Sequence, residues 1–151
     1  MAVSTTQSIW RSGGGDQTRT AYCGTGIMAA QFYIADASVA TATNVTISST
    51  AGAPALILPA GAVVLSVAIN DAGAGSVDLG TRGYTSGTVT GSAIANNLSV
   101  ASTGVVTSGL TLTATSEMSY VTVTIDTSGA GTVSGYITYF VSDPYVGQQN
   151  V

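Results

Sequence analysis

Val63-Val64-Leu65-Ser66-Val67-Ala68-Ile69 alternates larger and smaller side chains, and this alternation decides the fold class. Successive side chains of a β-strand point to opposite faces, so the larger residues at the odd-numbered positions are predicted to share one face. Residues 121–125 alternate Val and Ile with Thr in the same way. Both runs are therefore predicted to be strands with one buried face.

A third run, 133–141, is apolar on both faces, with Ile137 and Tyr139 on one side and Tyr136 and Phe140 on the other. This pattern predicts a central strand, or one that is covered on both sides, in which Tyr136 and Tyr139 cover the core. Further strand candidates are residues 30–34, 44–47, 55–58, 77–80 and 110–115.

Turn signals separate these runs at residues 70–73, Ser86-Gly87, Thr90-Gly91 and 127–131. The last lies between two strong strand candidates and predicts a hairpin. No segment has helical periodicity over a full helix length, and the nearest candidate, 92–100, is short. About eight short strands without helices predict an all-β fold, an antiparallel β-sandwich or jelly roll.

The two ends of the chain differ from its middle in composition. Residues 1–26 are polar and Gly-rich and predict an extended N-terminal arm, residues 27–143 the β-sandwich domain, and residues 144–151 a short C-terminal tail. Polar ends fray unless something holds them, so we expect another chain to hold both. The arm contains the single Trp10, and the tail contains Tyr145, which is suited to an interface because its ring is amphipathic.

Composition argues against catalysis. The 151 residues include no His, no Lys and one Cys, and only 7% are charged, against roughly 25% in a typical domain. Ser-His-Asp and Cys-His arrangements cannot be built, and the single Cys and the missing His leave no plausible zinc set. We therefore expect a non-enzymatic protein with no cofactor and no metal. Its Ser, Thr, Ala and Gly side chains lose little entropy when fixed, which suits packing against other proteins.

Charge and hydropathy argue against two classes of partner, nucleic acids and membranes. The formal net charge is −4, and Arg11, Arg19 and Arg82 are the only cations, which opposes a nucleic-acid partner. No apolar run is long enough to span a bilayer, and the N-terminus lacks the features of an export signal, so we expect no membrane partner and folding in the compartment where the chain is made. Cys23 has no intrachain partner. Whether Asp71 and Asp78 bind an ion stays open, since two carboxylates are few for calcium.

Four stretches resemble small β-rich structural proteins of tailed bacteriophages. They are Leu58-Pro59-Ala60-Gly61 leading into the apolar strand, Val77-Asp78-Leu79-Gly80-Thr81, the late run from Gly135 to Asp143, and the opening Thr6-Gln7-Ser8-Ile9-Trp10-Arg11-Ser12-Gly13-Gly14-Gly15. Together they cover about a third of the chain, and none is a catalytic motif. The resemblance implies a repeated virion component, made in the host cytoplasm. Together with the acidic charge of the chain, it points to a capsid decoration or cement protein.

Such a protein would bind the major capsid protein and itself, as a homo-oligomer for which a trimer is one candidate. An acidic chain fits the outer capsid surface better than the DNA-facing side. On this view Trp10 anchors the arm, and Arg11 and Arg19 pair with carboxylates on the shell. The alternatives are a phage tail, baseplate or fibre component and a host carbohydrate-binding module, which would use exposed aromatic rings.

Overall fold

The computed structural model of the chain describes residues 27–127 and 131–141. Within these ranges it contains nine β-strands and no helix, so the predicted all-β class is confirmed. The strands are β1 (Ile27–Ile34), β2 (Thr43–Asn44), β3 (Ile57–Leu58), β4 (Ala62–Asp71), β5 (Ser76–Gly83), β6 (Val89–Ser99), β7 (Gly104–Val106), β8 (Ser119–Thr127) and β9 (Val133–Val141). Over the same residues, accordingly, no helix is long and apolar enough to cross a bilayer.

The strands form two antiparallel sheets, which we call the β1 sheet and the β8 sheet. The β1 sheet has the order β1-β9-β4-β7, and the β8 sheet has the order β2-β8-β5-β6. The short strand β3 also pairs with β8, on the same edge as β2 but further towards the start of β8. The predicted β-sandwich is thus the observed architecture.

The pairing pattern is that of a jelly roll. Strand β1 pairs with β9, β2 and β3 pair with β8, β4 pairs with β7, and β5 pairs with β6. This is one long antiparallel ribbon, with its turn between β5 and β6, that has been rolled so that successive pairs alternate between two sheets. Of the two predicted architectures, the strand order selects the jelly roll.

The core lies between the two sheets and is almost entirely aliphatic. Phe32 and Ile137 from the β1 sheet and Leu79, Leu98 and Val121 from the β8 sheet are all nearly or fully buried there. Burying apolar surface is the main stabilising contribution in such a sandwich, at about 25 cal/mol per Å² removed from water.

The predicted alternation of residues 63–69 holds only in part. The register of β4 against β9 shifts between Val64 and Ser66, so Leu65 is an extra residue in the strand. Val67 and Ile69 face the core as predicted, whereas Val63 lies opposite Phe140 and outside the core cluster. The bulge changes the phase of the alternation, because one additional residue moves every later side chain to the other face.

Residues 92–100, the nearest helical candidate, belong to strand β6 up to Ser99. Two register shifts interrupt the pairing of β6 with β5, and Asn97 has a positive φ of 56°. The bulges bring Ala95 and Leu98, three positions apart, to the same buried side, which imitates helical spacing. Thr90-Gly91, predicted as a turn, also lies within β6. The carbonyl oxygens of these two residues lie so close to Gly80 that a Cβ there would overlap them.

The predicted hairpin at residues 127–131 is wrong. Strands β8 and β9 belong to different sheets, so the connection between them crosses the sandwich instead of turning back along the same sheet. Gly131 accepts a hydrogen bond from the backbone of Ala37, at 2.9 Å, and Ala37 is fully buried. A loop of this length can either form a hairpin or connect two sheets. Here Gly131, at its end, contacts the β1–β2 connection.

The strand predicted at residues 110–115 reduces to one bridge, between Leu110 and Ala95. Leu112 has a positive φ of 53°, which lies outside the extended conformation of a regular strand. The alternation of apolar residues with Thr at residues 110–115 therefore does not correspond to a strand.

Strand β9 is central, as predicted, with β1 on one side and β4 on the other. Tyr139 packs against the core as expected, but the expectation for Tyr136 is wrong, because it lies on the outer face and is 42% exposed. The predicted arm and tail lie outside the described residues, and the domain boundaries stay predictions.

Candidate protein-interaction site

The first and last described residues lie at the same end of the sandwich. Ile27, where β1 begins, pairs with Phe140, and Val141, where β9 ends, pairs with Ala62 at the start of β4. The β3–β4, β5–β6 and β7–β8 connections also lie at this end, which we call the arm end. Residues 26 and 142 therefore attach to the arm end, on neighbouring strands.

All four predicted contact residues belong to these attached segments. Trp10, Arg11 and Arg19 belong to residues 1–26, and Tyr145 belongs to the tail, so all lie outside the described residues. Their predicted roles stay predictions. What the structure adds is the point from which each segment starts.

A cavity of about 300 Å³ opens between the two sheets at the arm end. Ala62 and Val64 of β4 form one wall, Ala93 and Ile94 of β6 form another, and the connecting segment 111–116 lines it as well. The cavity exists because β7 pairs only with residues 67–69 of β4 and leaves the start of that strand without a strand neighbour on this side.

The segment that crosses over the cavity is tied to one sheet at each end. The backbone of Thr111 donates to Ile94 in the β8 sheet at 3.0 Å, and the backbone of Thr115 donates to Ala62 in the β1 sheet at 3.0 Å. The Thr115 hydroxyl also donates to the Pro59 carbonyl at 2.7 Å and accepts from the Ala62 amide at 3.1 Å. Thr115 thus fixes this segment to the β3–β4 turn.

Leu112 lines the cavity and is nevertheless 59% exposed. Its φ of 53° lies in the left-handed region, which is unfavourable for a residue with a branched side chain. An exposed apolar side chain on a strained backbone is a feature that recurs at ligand clamps and binding surfaces.

The cavity has no acid–base chemistry of its own. Its described lining consists of Ala, Val, Ile, Leu, Thr and Ser, and none of these residues is ionisable. The hydroxyls can donate or accept hydrogen bonds, and the methyl groups can contact an apolar ring. The arrangement can bind an uncharged group with one polar atom, and it offers nothing that could move a proton.

Glu117, the only glutamate of the chain, fixes the β5–β6 connection beside the cavity. Its Oε2 accepts hydrogen bonds from the amides of Thr85 at 2.9 Å and Ser86 at 3.3 Å. The Ser86 side-chain hydrogen bond first, and then the Thr85 backbone bond, hold the pKa of the Glu117 carboxyl below its ordinary value. The carboxylate therefore has a structural role in positioning a loop.

An aromatic and apolar row crosses the outer face of the β8 sheet at the arm end. Cross-strand partners run from Ile57 to Tyr120, from Tyr120 to Arg82 and from Arg82 to Val89, and we call these four residues the Tyr120 row. The ring of Tyr84, which is 53% exposed, lies 5.5 Å from that of Tyr120. Tyr and Arg are enriched at protein interfaces. No sequence signal predicted the row, because it depends on the register of four strands.

The polar groups beside the Tyr120 row are incompletely paired. Arg82, the only cation of the described residues, donates from Nη2 to the Ala42 carbonyl at 3.0 Å. Asn44 and Thr122 are cross-strand partners, and their buried Oδ1 and Oγ1 atoms have no hydrogen-bond partner. Each such group costs about 1–3 kcal/mol, so this is a poorly satisfied part of the described sheet.

The side chain of Asp78 binds the backbone of the neighbouring strand β6. Its Oδ1 accepts a hydrogen bond from the amide of Asn97 at 2.8 Å and so holds the bulge of β6. Asp71 lies at the end of β4, in the other sheet. Across the described ranges, no three His, Cys, Asp or Glu side chains are grouped as metal ligands would be.

Comparisons with known proteins add little. No protein-family model matches the chain, and no curated protein matches it. A solved structure, the "Cyanophage Pam1 capsid asymmetric unit", contains a similar chain with a TM-score of 0.46 and 18% identity, over 79% of this chain and 87% of that chain. A similarity of this extent carries no functional argument, and the proposals below stand on the chain's own residues.

Proposed function

We propose that the chain is a non-enzymatic structural protein of a bacteriophage virion, which decorates the outside of the head and stabilises it. The observation that carries the proposal is the arm end. Both terminal segments attach there to neighbouring strands, and a cavity whose described lining is uncharged opens at the same end. A sandwich with its extensions at one end is suited to linking neighbours in a shell, and jelly rolls are used in viral capsids.

The arm and the tail are the proposed contacts with neighbouring proteins. Trp10 is the anchor of the arm, and Arg11 and Arg19 pair with carboxylates of the major capsid protein. Tyr145 contributes an amphipathic ring from the tail. Because both segments begin at the arm end, this end faces the shell or the next copy of the chain.

Charge supports the outer position. The chain carries a formal net charge of −4, so packed DNA would repel it, whereas the outer surface imposes no such penalty. The short Ser, Thr, Ala and Gly side chains lower the entropic cost of forming contacts repeated over a shell. The homo-oligomer and the major capsid protein as partner belong to the same proposal.

Reconstitution tests the proposal. Heads assembled without the chain are mixed with purified chain, pelleted and heated, and we expect binding and a higher temperature of DNA release. Deleting residues 2–20 should abolish binding while leaving the circular-dichroism spectrum of the folded sandwich unchanged. Trp10→Ala should weaken binding, and Gln7→Ala is its matched control. Full binding by the deleted chain would overturn the role of the arm. Failure of the intact chain to bind would overturn the head assignment.

One observation favours a carbohydrate-binding module as a second candidate. The neighbouring rings of Tyr84 and Tyr120 lie on the outer face of the β8 sheet, where a sugar could stack on them. A glycan array followed by calorimetry tests this candidate, with Tyr84→Ala expected to remove any binding. Tyr136→Ala, which changes an exposed ring on the other sheet, is the control, and the absence of glycan binding would exclude this candidate.

A further inference from the structure

We propose that the cavity at the arm end binds the Ile9-Trp10 segment of a neighbouring copy of this chain. The inference rests on the proposed homo-oligomer and specifies how its copies are joined. It concerns a cavity to which no sequence pattern drew attention. The occupant is the arm of a second copy, and three features of the described residues support it.

The first feature is the fit between cavity and indole. Tryptophan combines an apolar body with one N–H donor, and such side chains need a hydrogen-bond partner when they are buried. The lining supplies methyl groups from Ala93 and Ile94 and hydroxyls such as that of Thr113, with no ionisable group among its described members. Protein interiors are otherwise close-packed, so an unfilled space of about 300 Å³ between two sheets is suited to binding a side chain from another segment.

The second feature is the mouth of the cavity. Leu112 lines the cavity, is exposed and has a backbone in the left-handed region. An incoming apolar side chain would cover Leu112 and bury its exposed surface. The strain is then explained by a contact that the isolated chain does not make.

The third feature is that the point where the arm attaches and the cavity lie at opposite edges of the β1 sheet. Residue 26 attaches to β1, which is one edge strand, whereas the cavity lies beyond β9 at the far side of β4. Exposed apolar side chains mark both edges, with Ile27 and Met28 on β1 and Val105 on β7. Two different surfaces at opposite edges are what a head-to-tail contact requires, and such contacts form a ring when the rotation between successive copies closes.

The arm is long enough to reach a neighbour. Sixteen residues lie between Trp10 and Ile27, which makes seventeen residue-to-residue steps, and an extended chain spans at most about 3.3–3.6 Å per step. This gives a reach of roughly 55–60 Å, several times the width of a four-stranded sheet with its strands about 4.8 Å apart.

The single tryptophan makes the proposal measurable, because all indole fluorescence comes from Trp10. In the purified, full-length chain we expect blue-shifted emission and protection from acrylamide. Ala93→Phe fills the cavity and should expose the indole, whereas Ala101→Phe, at an exposed position at the opposite end, should not. Leu112→Asp is a second variant, at an exposed position, in case the filled cavity impairs folding. An exposed indole in the unaltered chain, or protection that persists in both cavity variants, would overturn the proposal.

Mixing two variants identifies whose arm is bound. Ala93→Phe chains have a Trp10 but no open cavity, and Trp10→Ala chains have an open cavity but no indole. Refolded together, they should regain acrylamide protection in proportion to the share of Trp10→Ala chains. No recovery would mean that each arm binds its own chain, and would overturn the second-copy assignment. Light scattering and head binding on the same samples separate this outcome from failure of the proposed function, because a chain that still oligomerises and binds heads retains that function.

Discussion

The sandwich is closed along its two sides by segments that cross from one sheet to the other. The two sides differ in whether side chains fill the space between the crossing segment and the core. At the first side, residues 43–47 pair with β8 through Val45 and with β1 through Thr46. Val45 and Leu56 fill the space below and are almost fully buried. At the second side, the segment 111–116 is tied at Thr111 and Thr115 and leaves a cavity between these points.

The difference shows that hydrogen bonds can close a sandwich without filling it. Both crossings satisfy backbone groups of both sheets, yet only the first directs large apolar side chains inwards. In the second, Leu112 lines the cavity and remains exposed. The first side is built for stability, and the second keeps apolar and hydroxyl groups available for a partner, which is the property that the proposed arm contact uses.

The largest expected effect compares one leucine from each side. Leu56→Ala removes a nearly fully buried side chain and should lower the free energy of unfolding by about 3 kcal/mol. Leu112→Ala removes an exposed one and should change it by less than about 0.5 kcal/mol. Urea denaturation of both variants, under conditions in which the chain is monomeric, measures the difference. Equal losses would mean that the second side is as well packed as the first.

The next effect concerns the hydrogen bonds that fix the second side. Thr115→Val removes the hydroxyl that bonds to Pro59 and Ala62 and should cost about 1–2 kcal/mol. Thr113→Val is the control, because the Thr113 hydroxyl makes one long, exposed bond of 3.3 Å to Thr111. Thermal unfolding followed by circular dichroism compares the two. A Thr113→Val loss as large as that of Thr115→Val would contradict the role given to Thr115.

A smaller effect, of opposite sign, is expected for the backbone strain at Leu112. Glycine adopts positive φ without penalty, so Leu112→Gly should be more stable than Leu112→Ala by about 1 kcal/mol. Both substitutions remove the same apolar contact, so their difference isolates the backbone. Chemical denaturation provides the value, and a glycine variant less stable than the alanine variant would show that the left-handed conformation is not costly.

The smallest effect is the pH dependence due to Glu117. Its pKa is lowered in the folded chain, so the unfolded chain binds more protons between the two pKa values, and stability falls as the pH drops through the folded value. Above the ordinary value of 4.5 the contribution is fully present. Glu117→Gln should therefore flatten a small part of the decline in melting temperature below about pH 4.5. If the two melting curves keep a constant separation over the acidic range, the Glu117 bonds do not contribute.

The sequence was informative where the strands are regular. The alternation in residues 121–125 and 133–141 correctly predicted strands in the two sheets, and the absence of helical periodicity correctly predicted the fold class. The prediction failed where one extra residue in a strand moves the following side chains to the opposite face of the sheet. The extra Leu65 in β4 and the bulges around Asn97 in β6 depend on contacts with neighbouring strands that no local pattern records.

The candidate site was only partly predictable, for a related reason. The arm and tail were predicted from their composition, but that they attach side by side follows from the pairing of Ile27 with Phe140. The cavity depends on the short pairing of β7 with β4, and the Tyr120 row depends on the register of four strands. Long-range pairing decides both features, and the alternation that predicted a strand at residues 110–115 gave no sign of either.

The most direct test of the central claim is to count the chain in separated parts of purified virions by quantitative mass spectrometry. We predict hundreds of copies in the heads and essentially none in the tails, as expected of a coat bound to a repeated shell protein. A few copies confined to the tails would instead identify a tail, baseplate or fibre component. Absence from both fractions would contradict a virion role.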